Sequence, residues 1–472
     1  MNAQEIPTLS AIELANLIRR KALSPVEVID AVFARIHKLN RKINAYCTLT
    51  EEAARAEAKQ AEQAVIAGAE LGPLHGVPFS VKDLIATAGV RTMRGSRIFE
   101  HSIPTEDAPA IARLKQAGAI LIGKTNTPEF GCKGVTDSPV SGITRNPWNL
   151  ERTPGGSSGG ASAALAAGLG PLALATDGGG SIRAPAALSG VYGLKPSFGR
   201  VPNWPPAPVP SQLHVGPMTR TVGDAALLLN VIAGPDGRDL NTLPASGIDY
   251  MSASKGRVGG LKVAWVKTFD RAPVEAEVAR LTAEAARVFV DELRANVEEI
   301  EWSPEVPPGL SKLFLACGVG AFLEDYLPEW EDRLDPTLAK LIESRQAISG
   351  VDYAKGLKQR NLVAERVNRL FADYALLLTP TVLVTAFEIG RNPPAYIDGQ
   401  FIGSAGFSPF TYAFNLTGHP AASVPCGFAD NGLPVGLHIV GRRFDDVGVL
   451  KASAAFEAVR PWQQHWPEIA LS

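Results

Sequence analysis

The chain runs to 472 residues, 46% of them hydrophobic and 20% charged, with a formal net charge of −2. Those are the proportions of an ordinary soluble protein, and the near-neutral charge leaves no basic field for nucleic acid or anionic lipid. Four scattered cysteines (Cys47, Cys132, Cys317, Cys426) form no C-x-x-C, and seven histidines form no H-E-x-x-H or H-x-x-x-H, which argues for thiols in a reducing compartment and against disulfides or a metal site.

Met1 to Pro7 is polar, with no basic-then-apolar leader, and no run of roughly eighteen apolar residues follows, so a cytoplasmic protein without membrane insertion is expected. Residues 8 to 70 read as helices. Ser10 can cap Ala11 to Arg20, Ser24-Pro25 opens Val26 to Leu39, and Glu51 to Gly68 is rich in Ala and Glu. Residues 1–70 are thus expected as a helical segment packed on the core. Gly76 to Lys82 predicts a strand, Ala110 to Ala117 a helix, Ile120 to Gly123 a buried strand, and Asn126 to Asn149 turns. The alternation continues with a small-residue helix at Ala161 to Ala167, a strand at Leu172 to Ala175 and a helix from Ile182. Val201 to Pro210 carries five prolines and reads as loop. Farther on, Leu261 to Val266, Val297 to Ile300, Leu376 to Leu378 and Val435 to Val440 read as strands, and Glu275 to Ala295 and Asp352 to Tyr374 as helices. Such alternation predicts an α/β layered sheet with helices on both faces, and no hydrophilic linker divides residues 1–472.

Three segments carry candidate chemistry. Lys82 ends an apolar strand, where it is either a surface charge or a desolvated amine able to accept a proton. Ser157 and Ser158 precede the small-residue helix, either as N-caps or as hydroxyls at the positive end of its dipole. Ser181 follows Gly178, Gly179 and Gly180, either as part of a Gly-rich turn or as a nucleophile ringed by backbone amides. Gly155 to Gly159 formally matches G-x-S-x-G, but loop precedes it, and His214, His419, His438 and His465 lack the context of a partner.

The segments Gly76-Val-Pro-Phe-Ser-Val-Lys-Asp83, Gly123-Lys-Thr-Asn-Thr-Pro-Glu129, Arg145-Asn-Pro-Trp148, Pro154-Gly-Gly-Ser-Ser-Gly-Gly160, Thr176-Asp-Gly-Gly-Gly-Ser-Ile-Arg183 and Gly193-Leu-Lys-Pro196 together resemble the amidase signature family. The resemblance runs from about Ser10 to Trp462 and is densest over residues 75–200, the signature core. It implies one α/β/α layered domain with a mixed central sheet, and amide hydrolysis through an acyl-enzyme without a cofactor. It further implies Ser181 as nucleophile, Ser157 as proton relay after a cis peptide at Gly156–Ser157, and Lys82 as base. By the same resemblance the amides of Gly178, Gly179, Gly180 and Ser181 hold the oxyanion, and the backbone at Gly131 faces the substrate. Ser158 supports the triad, while Asp177 and Arg183 brace the nucleophile loop. Many members carry a larger residue where Gly178 stands, a departure that bears on the oxyanion loop and not on the triad.

Two functions follow. One is a free-standing hydrolase of small amides or carbamates, which in this family is commonly a homodimer. The other is the amidase subunit of a glutamine-dependent tRNA amidotransferase. Such subunits recognise glutamine with an arginine beyond the signature region, and residues 350–375 here do not clearly resemble that segment. Phe130 to Ser141, Val201 to His214, Trp302 to Trp330 and Gly390 to Phe410 are the segments freest to set a pocket. Their Trp204, Phe314, Phe322, Tyr326, Tyr396 and Phe401 predict an apolar acyl or aryl pocket, and Cys317 is a buried structural thiol or a pocket residue.

Overall fold

Ser10 and Ser24 each close a capping box, with Glu13 and Glu27 respectively, and start the helices Ala11–Arg19 and Pro25–Ile43. The second helix stops at Asn44, whose φ of 56° turns the chain out of register. The side chain of Asn40 then accepts from the amides of Ala45 and Tyr46 and feeds the chain into the strand Tyr46–Leu49. This strand lies between segments that the sequence reads as helix on both sides. The computed structural model describes residues 5–209, 211–402 and 406–471. Pro210 and residues 403–405, within two of the candidate pocket segments, therefore lie outside the described residues.

Eleven strands form one sheet. Their spatial order is Tyr46–Leu49, Ile120–Thr125, Pro78–Lys82, Leu172–Asp177, His214–Thr219, Tyr192–Lys195, Ala421–Phe428, Pro434–Gly441, Leu376–Pro380, Lys262–Trp265, Asn296–Glu299. Pro78–Lys82 runs parallel to both its neighbours, as does Lys262–Trp265, and the other pairings are antiparallel. The sheet is mixed, as expected. Four of its strands, at Tyr46, Tyr192, His214 and Ala421, were not legible in the sequence.

Alternation along each strand divides the core between two faces. Leu172 and Leu174 enter one apolar cluster with the helices Ala11–Arg19, Pro109–Gln116, Val222–Ile232, Ala276–Asp291 and Asp446–Val459. Ala173 and Ala175 face the other side, where Gly159–Ala166 and Arg183–Ser189 pack. That second face continues under Gly350–Asp373 and Pro409–Leu416, against Leu377, Ala421 and Val440. An α/β fold with helices on both faces results.

The helix Gly159–Ala166 is where small residues matter most, because all eight of its residues are buried. It lies so close to the turn after Ile120–Thr125 that a Cβ on Gly160 would meet the carbonyl oxygens of Asn126 and Ala45 at 2.6 and 2.7 Å. Those atoms are backbone and cannot swing aside. The close approach sets the height of the helix start, and with it Ser157 and Ser158, above the ends of the parallel strands. Gly160→Ala should lower unfolding free energy by about 1–3 kcal/mol through overpacking, measured as a fall in the thermal or urea midpoint. Gly350→Ala, with nothing within 4 Å of the added methyl, should be neutral or stabilise by up to about 1 kcal/mol.

Candidate active site

Lys82 and Asp177 end two adjacent parallel strands, Pro78–Lys82 and Leu172–Asp177, paired through Val81 and Leu174. In an open α/β sheet the crevice beyond such carboxyl ends is where ligands are bound. Lys82 is fully buried, and its Nζ lies 2.7 Å from Ser157 Oγ, 2.8 Å from Ser158 Oγ and 3.4 Å from the Thr176 carbonyl. Burial pulls its pKa down from the ordinary lysine value to about 7, with Asp177 opposing the shift. Ser158 Oγ in turn donates to the Thr176 carbonyl at 3.2 Å. The Gly156–Ser157 peptide is cis. Lys82 and the adjacent pair Ser157 and Ser158, distant from it in sequence, therefore form one hydrogen-bonded group.

The Gly-rich loop is shaped by Asp177. Its carboxylate accepts the amides of Gly180 at 2.6 Å and Ile182 at 3.1 Å, and is gripped by Arg183 Nε at 2.9 Å and Nη2 at 3.0 Å. Neither member of this pair is exposed. Burial alone would raise the Asp177 carboxyl, but the Arg183 guanidinium, with Lys195 and Asn415, holds it well below the usual carboxylate range. Contrary to expectation, the Gly180 amide turns inward onto Asp177 and is not free to meet an oxyanion. The amides of Gly178, Gly179 and Ser181 donate to no group among the described residues, and these three residues are half-buried. The loop folds back on the serine turn, where the Ser181 carbonyl accepts from the Ser158 amide at 3.2 Å. Gly131 completes the group. With φ of 70°, it presents its Cα so that an added Cβ would stand 3.1 Å from Ser157 Oγ.

Sequence reasoning missed the outer clamp of the loop. Asn415 Oδ1 accepts from Arg183 Nη2 at 2.6 Å, and its amide donates to Asp177 at 2.9 Å. Thr411 holds the Gly179 carbonyl at 2.6 Å, and His438 Nε2 meets Arg183 Nη1 at 3.1 Å. The helix Pro409–Leu416 that carries Thr411 and Asn415 has no local signal beyond Pro409 at its start. The histidines bear on the rejected elbow reading. His214, His419 and His438 bond Gln212, Thr417, Arg183 and Thr379, while His465 is exposed, and no bond joins any of them to Ser157 or Ser181 among the described residues.

Of the aromatic residues proposed for a pocket, Phe322 and Tyr326 do converge near the site. They gather with Phe99 and Phe130, with ring centroids 5.3–6.2 Å apart, and Phe130 directly precedes Gly131. The others do not. Phe314 is buried against Tyr353, Trp204 lies under Arg238, and Tyr396 and Phe401 pair with each other on an exposed hairpin. Cys317 is a half-buried free thiol on Leu310–Leu323, beside Gly318, which abuts the Pro208 carbonyl.

Among the described residues no cluster of His, Cys, Asp and Glu could hold a metal, and no helix is long and apolar enough to cross a membrane. Residues 27–450 match the Amidase family. An acylamidase of Rhodococcus erythropolis is 38% identical, over 100% of this chain and 99% of that protein. A glutamyl-tRNA(Gln) amidotransferase subunit of Carboxydothermus hydrogenoformans is 37% identical, over 98% of this chain and 100% of that one. The crystal structure of a bacterial aryl acylamidase of the amidase signature enzymes superposes with a TM-score of 0.91 at 34% identity, covering 98% of both chains. The structure of 6-aminohexanoate cyclic dimer hydrolase superposes at 0.89 and 29% identity, over 98% of this chain and 99% of that one. Sequence and fold thus agree over nearly the whole length: this chain belongs to the Amidase family, the amidase signature enzymes, and is an amide-hydrolysing enzyme.

Proposed function

We propose that the enzyme cleaves apolar or aryl amides, or related carbamates and esters, through an acyl-enzyme on Ser181, with Ser157 passing a proton to Lys82. The observation that carries this reading is the buried amine 2.7 Å from Ser157 Oγ, its pKa brought to about 7 by desolvation. A neutral amine has two N–H bonds and one lone pair. Ser158 gives its own proton to the Thr176 carbonyl, so it accepts one N–H of Lys82, and the Thr176 carbonyl takes the other. The lone pair is left for the Ser157 hydroxyl.

In this scheme Lys82 takes the Ser157 proton while Ser157 takes that of Ser181, and Ser181 Oγ attacks the amide carbon. The free amides of Gly178, Gly179 and Ser181 support an oxyanion site at the loop. The proton then returns from Lys82 through Ser157 to the leaving nitrogen as the C–N bond breaks, and water hydrolyses the ester by the same relay. The lysine supplies the base that a histidine or a metal-bound hydroxide supplies in other hydrolases, so the scheme calls for no cofactor.

The aromatic group at Phe99, Phe130, Phe322 and Tyr326 supports an apolar or aryl substrate, as does likeness to an aryl acylamidase. Likeness to an amidotransferase subunit, 37% identical, sustains the second reading, a glutaminase component of a larger enzyme. Against it, residues 350–375 do not clearly resemble the segment that carries the glutamine-binding arginine of such subunits, and Arg360 there donates to the carbonyls of Leu416 at 2.5 Å and Ser211 at 2.9 Å.

Three outcomes are expected. Incubated with an aryl acylamide, the protein should accumulate an acyl adduct visible by mass spectrometry, and Ser181→Ala should show neither adduct nor turnover. Ser157→Ala should keep its melting temperature and lose about 10²–10⁴ in kcat, the usual cost of a proton-transfer group. With Lys82 inactive as ammonium and active as amine, kcat/KM should rise with pH and reach half its plateau near pH 7. Turnover of glutamine alone, and only with added partner subunits, would instead establish the second reading.

A further inference from the structure

Most deeply placed arginines of this chain spend their donors. Arg183 grips Asp177, Arg200 grips Asp446, and Arg35, Arg113 and Arg360 donate to backbone carbonyls. Arg94 does not. Its guanidinium carbon lies 5.2 Å from the Phe99 ring centroid and 5.1 Å from that of Phe322. None of its side-chain N–H groups has a hydrogen bond or ion pair among the described residues. Burial lowers its pKa, while Tyr326 and Asp83 pull the other way from beyond contact distance.

The backbone fixes where this cation sits. Arg94 has a φ of 56°, in the left-handed region that an arginine rarely adopts. Its amide donates to the Asp83 carbonyl at 3.0 Å, one residue beyond Lys82. Its carbonyl accepts from the Phe130 amide at 2.9 Å, one residue before Gly131, where an added Cβ would meet Ser157 Oγ. Both flanking bonds therefore lead straight to the reacting group. A guanidinium stacked on rings keeps its in-plane N–H groups pointing outward at the ring edges, five donors in a fork suited to a carboxylate. Half-buried and not sealed from solvent, these donors are open to an anion, and the rings around them would hold the apolar part of a substrate.

We propose that Arg94 is a specificity-determining residue: it receives the carboxylate of an amide substrate whose apolar arm lies along Phe99, Phe130 and Phe322. This rests on the hydrolase reading above and narrows its substrate class from apolar amides to apolar amides ending in an anion.

The test compares matched substrates with and without the charge. One pair is the 4-nitroanilides of glutaric and pentanoic acids, in which the leaving group is constant. The other is acetanilide bearing a 4-carboxylate or a 4-carboxamide. The carboxylate member of at least one pair should be preferred in kcat/KM by about ten- to a hundredfold, the worth of charge-assisted hydrogen bonds. In Arg94→Met that preference should fall towards one, with Arg94→Lys between. The ratio within a pair is the readout, because a loss of folding lowers both members alike. In the wild type, benzoate should inhibit turnover of the neutral anilide more strongly than benzamide does, which needs no variant. A preference equal in wild type and Arg94→Met, or equal inhibition by benzoate and benzamide, overturns the assignment and leaves the hydrolase reading standing. Absence of Ser181-dependent turnover of every anilide overturns both.

Discussion

The site depends on a single buried carboxylate. Asp177 terminates a strand, caps the loop that follows it through the amides of Gly180 and Ile182, and is held by Nε and Nη2 along one edge of the Arg183 guanidinium. A buried ion pair stabilises only when its remaining donors and acceptors are satisfied. Here Asn415, the Thr411 carbonyl and His438 take up the rest, tying the loop to a helix and to a strand from the C-terminal part of the chain. His438 is held neutral, first by burial and then by Arg183 itself, so its Nε2 can accept from the guanidinium. The loop therefore cannot be built from the signature segment alone.

Burial makes Lys82 an amine against the pull of the same carboxylate, whose charge is already shared. Asp177 has three cationic neighbours: it pulls on Arg183, Lys195 and Lys82. One negative charge cannot hold three positive ones in a dry interior. The guanidinium keeps its proton, having the highest intrinsic pKa and the direct bidentate contact. The two amines yield: burial, then Arg183, drives Lys195 well below its ordinary value, and burial brings Lys82 to about 7. Lys195 is anchored to the His419 carbonyl on the far side, whereas Lys82 faces the hydroxyls of Ser157 and Ser158. Position thus decides which amine lies against a hydroxyl.

The sequence made the glycine and serine nests, Lys82 and the layered α/β pattern legible because each is a local signal. What it hid is local structure overridden by its neighbours. His214–Thr219 reads HVGPMT, and a proline argues against a central strand, yet Pro217 pairs opposite Leu174 in the middle of the sheet. Ala421–Phe428 contains Pro425 and shifts register just after it. Tyr192–Lys195 is only four residues long and contains Gly193. Asn415 and Arg94 were invisible for another reason: their meaning lies in partners far along the chain, or in the absence of a partner. The inward turn of the Gly180 amide was equally hidden, since a run of three glycines does not say which N–H a nearby carboxylate will claim.

These two kinds of residue divide the site into a fixed part and a variable one. The groups that contact the Asp177 carboxylate, Gly180, Ile182, Arg183 and Asn415, are buried and bonded, so a change at one of them leaves a charge or donor stranded elsewhere. The aromatic rim is built otherwise. Phe322 and Tyr326 belong to, or directly follow, the helix Leu310–Leu323, which meets Phe130 and the loop after Val201 mainly through apolar contact. Apolar contacts of similar volume exchange at small cost. An acylamidase, 38% identical, and an amidotransferase component, 37% identical, both resemble this chain over nearly its whole length. On the proposal made for Arg94, substrate choice would rest on this rim, and the chemistry on the bonded group around Asp177.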